Sequence, residues 1–223
     1  MTEQSRTKIF LVDDHPLVRE SLSNLINQQE DLVVCGEAED AASALSAIRS
    51  IQPDVVVVDL SLKQGSGLDL IKSLKAHQSP AAVIVLSMHD ERVYAERAVR
   101  AGARGYVMKR ESTTRIVWAI RQVMQGRLAV SDQIAAVFAE RFVGNRPGQD
   151  DAPMESLSDR ELQVFQLLGN GMETRQIAEV LNVSMKTVQV YCARIKVKLN
   201  IANATELLTE AVRWHERQQA GVA

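Results

Sequence analysis

The chain has 223 residues, 46% of them hydrophobic and 24% charged, which suits one large soluble domain or two modest ones. A formal net charge of -2 excludes bulk electrostatic attraction to nucleic acid, so such a role would need a local basic face. No apolar run approaches the roughly 18 residues that span a bilayer, and Met1-Thr2-Glu3-Gln4 opens no apolar signal region, so a cytoplasmic protein without a membrane partner is expected.

Two periodicities alternate through the first half. Short apolar runs at 9–12, 32–35, 55–58, 83–86 and 106–107 read as strands; three are nearly all apolar, as parallel strands buried on both faces should be. Between them lie segments with helical spacing, such as Val18, Leu22, Leu25 and Ile26, or Ile116, Ile120 and Val123. Pro16 sits where a first helical turn tolerates it. Five strands alternating with five helices predict a doubly wound α/β domain whose functional crevice lies at the carboxyl ends of the strands. Cys35 and Cys192, far apart in apolar stretches, read as buried thiols in a reducing compartment.

From Gly126 the pattern changes. Residues 131–142 predict a helix with Ile134, Val137 and Phe138 on one side, and 144–153 is a turn-rich polar stretch that reads as a flexible linker. Ser158-Asp159-Arg160-Glu161 reads as a capping box, and beyond it the pattern is helical throughout. The expected organisation is a first domain at 1–126, a linker at 127–155 and a helical domain at 156–223.

Polar residues stand at the ends of the predicted strands. Asp13 and Asp14 follow the first, Asp59 ends the third, Ser87 ends the fourth and Lys109 follows the fifth. Three ionised carboxylates cannot share one edge without a cation to offset their repulsion. Oxygen-only ligands suit Mg²⁺, while Lys109 and Ser87 could take further oxygens of a phosphoryl group held on a carboxylate. Singly, each residue has a duller reading: Asp13-Asp14-His15-Pro16 could merely cap a helix, and an Asp after a strand is usually a turn residue. The placement of one group per strand end is what argues for a site.

Asp13-Asp14-His15-Pro16, Val57-Val58-Asp59-Leu60, Leu86-Ser87-Met88-His89-Asp90-Glu91 and Gly102-Ala103-Arg104-Gly105-Tyr106-Val107-Met108-Lys109 resemble, in order and spacing, the receiver domains of NarL/FixJ-type response regulators. The resemblance implies a flavodoxin-like sheet of order 2-1-3-4-5 and makes Asp59 the phosphoacceptor of a sensor histidine kinase. It also implies Mg²⁺ on Asp14, Asp59 and the backbone carbonyl of Ser61, with Asp13 acting through water. Lys109 would pair with the phosphoryl group, and Ser87 and Tyr106 would form the switch. A plain core role for Tyr106 stays open. One departure is the loop after Asp59, where Lys63 stands in place of a proline common in the family; losing that fixed φ would loosen the loop.

In the second half, Leu181-Asn182-Val183-Ser184 reads as a turn between two helices. Val188, Cys192, Ile195 and Leu199 form an inward stripe on the second. Its other face carries Lys186, Gln189, Ala193 and Lys196, with Val190 beside them and Arg194 and Lys198 flanking. No acid lies between Val180 and Thr205, so the local basic face exists. Ser184 can cap this helix and aim its N-terminus at a phosphate. A protein-interaction module with a solvated charged face is the rival reading.

Leu157-Ser158-Asp159-Arg160-Glu161, Gly171-Met172-Glu173-Thr174-Arg175-Gln176-Ile177-Ala178 and Ser184-Met185-Lys186-Thr187-Val188-Gln189-Val190-Tyr191 resemble the LuxR-type helix-turn-helix. That resemblance implies contacts with promoter DNA from Ser184, Lys186, Thr187, Gln189, Val190, Ala193, Arg194 and Lys196. It also implies a homodimer formed on activation or on DNA, paired through a last helix at about 204–217. Gln189 replaces a lysine common in the family, and Gln can pair with adenine in the major groove. The combined expectation is a DNA-binding regulator rather than an enzyme turning over an external substrate. An aspartyl-phosphate phosphatase is the enzymatic rival; it would usually need an acid where Ser61 stands.

Overall fold

A computed structural model describes residues 6–62, 66–142, 154 and 156–220. The chain divides into two compact units, Met1–Ala139 and Glu140–Ala223.

The first unit alternates β1 (Thr7–Val12), α1 (Pro16–Asn27), β2 (Leu32–Ala38), α2 (Ala41–Ile51), β3 (Val55–Val58), α3 (Gly67–Ala76), β4 (Ala82–Ser87), α4 (Glu91–Ala101), β5 (Gly105–Met108) and α5 (Ser112–Met124). All pairings are parallel and the strand order is β2-β1-β3-β4-β5, as expected. Four consecutive valines form β3 at the centre of the sheet, none more than 2% exposed. Burying each contributes about 1.5–3 kcal/mol. Val55 and Val57 join Ile9, Leu11, Ile84, Leu86 and Val107 in a core closed by Leu22 and Ile26 of α1 and Ile116 and Ile120 of α5. By alternation, Phe10, Val12, Val56 and Val58 face the opposite side.

Strand β2 runs three residues past its apolar run, because Gly36, Glu37 and Ala38 pair with Phe10, Leu11 and Val12 although they lack the apolar signal. The register skips Cys35 between the Val34 and Gly36 pairings, so that cysteine is the extra residue of a bulge on an edge strand. Both cysteines, expected to be buried, are half-buried.

The expected linker begins inside the first compact unit. Ala129 bridges to Gly105 of β5, and α6 (Asp132–Phe142) follows, with Ile134 buried. The polar stretch 144–153 lies outside the described residues.

The second unit holds α7 (Asp159–Gly169), α8 (Thr174–Val180), α9 (Met185–Leu199) and α10 (Ala204–Ala220). Ser158 and Glu161 form the expected capping box at the start of α7. Phe165 packs on Trp214 of α10 at 5.8 Å between ring centroids. Gly169 is needed where α7 and α10 meet, since a Cβ there would lie 2.6 Å from the backbone oxygen of Ala211. Leu207, Ala211 and Trp214 of α10 are buried, whereas Leu208 is exposed.

The glutamate of the capping box has an ion-pair partner that sequence spacing did not show. Glu161 is buried and its Oε2 lies 2.7 Å from Lys198 Nζ, which also donates to the Ser156 carbonyl at 2.9 Å. Burial pushes the Glu161 carboxyl up, but the bonds from Lys198 and Ser158 outweigh it and hold the group below the usual range. A depressed carboxylate stabilises the fold above its unfolded value of 4.5 and loses that contribution as pH falls through the folded one. Glu161→Ala is therefore expected to cost the second unit about 1–2 kcal/mol at neutral pH, and less in acid. Trp214 fluorescence during urea unfolding of a Trp118→Phe background measures it; an equal loss at both pH values would sink the argument.

Candidate phosphoacceptor site and nucleic-acid interface

Strand register assembles the acidic edge. Val12 pairs with Val58, so Asp13 and Asp59 leave adjacent strands at the same level. The ladder continues one step further, the Asp59 N–H donating to the Val12 carbonyl at 2.8 Å and the Asp13 N–H to the Ala38 carbonyl at 3.2 Å. Ser87 pairs with Met108, which sets Lys109 one residue beyond the end of β5. Asp13, Asp14 and Asp59 are buried, and with the exposed His15 their ligand atoms lie within 4.8 Å of one another.

The amine of Lys109 sits between two of the acids, 2.7 Å from Asp59 Oδ2 and 2.7 Å from Asp13 Oδ2. Burial alone would lower the lysine; Asp59 and Asp13 outweigh it and raise it. Burial is also the largest influence on Asp59, pushing its carboxyl up against the opposing pull of Lys109. Three carboxylates against one ammonium leave an excess of negative charge in a desolvated pocket. That is the chemistry of a hard divalent cation site, and the carboxylate oxygens of Asp13, Asp14 and Asp59 suit Mg²⁺.

Helix capping does not account for the two N-terminal acids. The N-cap of α1 is His15, with no side-chain capping bond, and Pro16 opens the helix. Asp13 Oδ1 instead accepts from the His15 N–H at 2.9 Å, and His15 Nδ1 lies 2.7 Å from Asp14 Oδ1.

On the other side of Asp59, the Ser61 N–H donates to Asp59 Oδ1 at 3.0 Å. Ser61 Oγ lies 2.7 Å from His89 Nε2. His89 stacks on Tyr94 with ring centroids 4.7 Å apart, and its carbonyl accepts from the Tyr106 hydroxyl at 2.8 Å. Ser87 Oγ accepts from the His89 N–H at 3.1 Å. Tyr106 is thus an inward, buried ring wired to the same loop as Ser87. Sequence reasoning singled out Ser87, Tyr106 and Ser61 but gave His89 no role, although it stands only two residues after Ser87. Lys63 lies outside the described residues.

Burial, and secondarily the Lys109 charge, pull His89 down to about 4. The imidazole is expected to stay neutral through mildly acidic conditions. Its ring-proton resonances, followed by NMR against pH, should move near 4; movement near the ordinary 6.5 would contradict this.

In the second unit Asn182, at φ +52, makes the turn between α8 and α9, a conformation that asparagine tolerates. Ser184 caps α9 by accepting from the Thr187 N–H at 3.1 Å, and the two hydroxyls lie 2.8 Å apart. Val188 and Ile195 are buried, with Cys192 and Leu199 half-buried beside them. Lys186, Gln189, Val190, Ala193 and Arg194 form an exposed stripe at helical spacing, while Thr187 and Lys196 are half-buried. Lys198, held by Glu161, is not available to that face.

Comparison with known proteins follows the same division. The family model described as response regulator receiver domain matches residues 9–121, and that of the luxR family of bacterial regulatory proteins matches 155–211. Response regulator GacA of Pseudomonas aeruginosa is 36% identical over 206 residues, covering 92% of this chain and 95% of its own. Oxygen regulatory protein NreC of Staphylococcus carnosus is 33% identical over 211 residues, covering 92% and 97%. The structure of RcsB from Salmonella enterica serovar Typhimurium, bound to promoter P1flhDC with phosphomimetic BeF₃⁻, is similar at a TM-score of 0.64 and 25% identity, covering 93% of this chain and 98% of that one.

Proposed function

The chain belongs to the two-component response regulators that join a receiver domain to a LuxR-type DNA-binding domain, and from that premise we propose that Asp59 is the phosphoacceptor controlling its output. The family consists of transcriptional regulators rather than metabolic enzymes. The observation that carries the reading is the amine of Lys109, 2.7 Å from both Asp59 and Asp13 at the one edge where the strand register gathers three buried acids.

In the proposed reaction a carboxylate oxygen of Asp59 attacks the phosphorus of a phosphohistidine on a sensor kinase. The P–O bond forms as the P–N bond breaks, and the electron pair leaves on the kinase imidazole. Lys109 offsets charge on a phosphoryl oxygen, and the Ser87 hydroxyl is positioned to bond another. Mg²⁺ held by Asp13, Asp14, Asp59 and the Ser61 carbonyl would supply the remaining charge neutralisation. The site promotes phosphorylation and dephosphorylation of its own aspartate and turns over no external substrate.

Residues 1–126 form the receiver, 127–155 the connection, and 156–223 the DNA-binding domain. Ser184, Lys186, Thr187, Gln189, Val190, Ala193, Arg194 and Lys196 contact promoter DNA, α9 lying in the major groove and a homodimer reading two half-sites. No described helix is long and apolar enough to cross a membrane, and the proposed place of action is the cytoplasm.

DNA selection with the full chain, alone and loaded with beryllofluoride and Mg²⁺, tests both halves. A paired motif bound more tightly by the loaded form is expected. No enriched motif would refute the DNA output, and identical binding by both forms would refute the coupling. Within the selected motif, Gln189→Ala should lose about 1–3 kcal/mol of discrimination at one base position. Uniform weakening of all sequences would remove the base-reading role.

A further inference from the structure

After α5 the chain stays on the sheet. Gly126 turns it at φ +74, and Ala129 bridges to Gly105 of β5. The Ala129 N–H donates to the Arg104 carbonyl at 2.9 Å, and the Tyr106 N–H donates to the Ala129 carbonyl at 2.8 Å. Ala129 and Val130 are buried. Gly105 permits this approach: a Cβ there would lie 3.1 Å from the Ala129 oxygen and 3.2 Å from its Cβ.

Two residues further on, Ser131 makes two bonds. Its Oγ accepts from the Ile134 N–H at 3.2 Å at the start of α6, and it donates to Glu91 Oε1 at 2.6 Å. Glu91 is the first residue of α4, and the loop before it is tied to Tyr106 through the bond from the Tyr106 hydroxyl to the His89 carbonyl. The bonds close a circuit. It runs from Ala129 to the Tyr106 backbone, through the tyrosine ring to His89, along the chain to Glu91, across to Ser131 and back to Ala129.

We infer that residues 128–131 are an output strap of the receiver, clipped to Tyr106 and Glu91 so that α6 follows the switch. The inference rests on the proposed phosphorylation switch at Asp59. A shift of the β4–α4 loop or of Tyr106 has to be taken up by one of the circuit's bonds. The bond from Ser131 to Glu91 is short at 2.6 Å, and the sheet bridge is buried. Ser131 therefore moves with Glu91, and α6, which starts at the next residue, moves with it. The circuit is a physical element that the phosphoacceptor site and the chain leading to the second unit can both bias.

Hydrogen exchange of the full chain, with and without beryllofluoride and Mg²⁺, reads two segments separately: the switch loop, 87–93, and α6, 132–140. Beryllofluoride is expected to change exchange in both. In Glu91→Ala, which leaves the Ser131 cap in place, and in Ser131→Ala, the change at 87–93 should remain and the change at 132–140 should be lost. Glu91→Gln keeps an acceptor oxygen and should retain it. A response at 132–140 that persists in both alanine variants overturns the strap, as does a wild type that responds only at 87–93. Equal loss in Glu91→Ala and Glu91→Gln overturns it too, assigning the effect to charge at the α4 N-terminus. No response at 87–93 in the wild type refutes the switch itself, and the strap with it.

Discussion

Asp59→Asn is expected to abolish uptake of a phosphoryl group from acetyl phosphate while stabilising the Mg²⁺-free protein by about 1 kcal/mol. The chemistry is lost because the amide has no carboxylate oxygen to attack phosphorus. The gain follows from burial, which pushes the Asp59 carboxyl up against the pull of Lys109. An acid raised in the folded state contributes most while protonated; that contribution is full below 3.8 and is lost as pH rises through the folded value. At neutral pH the wild type carries an ionised, desolvated acid that the variant lacks, and Lys109 still has Asp13 as partner in the variant. The stability difference should therefore open as pH rises from about 3.8, close in acid, and shrink when Mg²⁺ is added. Radiolabel uptake and urea unfolding across pH measure the two halves. Label retained by the variant, or a variant less stable than wild type at neutral pH without Mg²⁺, would contradict the assignment.

Lys109→Met should do the opposite to stability, costing about 3 kcal/mol at neutral pH. Its side chain is only 10% exposed and its amine spans Asp13 and Asp59. Methionine fills much of the same space, so the loss measures charge more than packing. Without the ammonium the acids repel one another, and the Asp59 carboxyl loses the pull that opposes its burial. The deficit should then be largest near neutrality, fade in acid and be partly recovered by Mg²⁺. Phosphoryl uptake should fall as well, since one phosphoryl oxygen loses its counter-charge. A deficit indifferent to both pH and Mg²⁺ would mean that the lysine acts through packing instead.

These two substitutions concern residues that were legible before any fold was known. Asp59 stands after four valines and Lys109 after a short apolar run, and parallel strands in one doubly wound sheet bring such ends to a common edge. The capping box at Ser158 and the cap at Ser184 were legible for a similar reason, because a helix start involves residues three apart. The bulge at Cys35 was not. It arises from how β2 pairs with β1, and local spacing carries no record of its partner's register.

The neighbours of the site show the same division. Ser61 and His89 lie 28 residues apart, and Lys198 and Glu161 lie 37 apart. Neither pair follows a helical or strand period. The strap is a further case: residues 128–131 read as the start of a linker because an isolated bridge to β5 needs no apolar alternation of its own.

By itself the sequence determined the alternation of strands and helices, the order of the acidic, hydroxyl and lysine groups at the strand ends, and a helix with an acid-free face. Each depends on periods of 2 and 3.6 residues or on a strand's last position, and those are local properties of the chain. Only the tertiary structure decided which amine lies between which carboxylates, that His89 bonds Ser61, and that Lys198 belongs to a buried glutamate rather than to the exposed stripe of α9. Those outcomes depend on register and packing between distant segments, where a hydrogen bond forms or fails over a few tenths of an ångström.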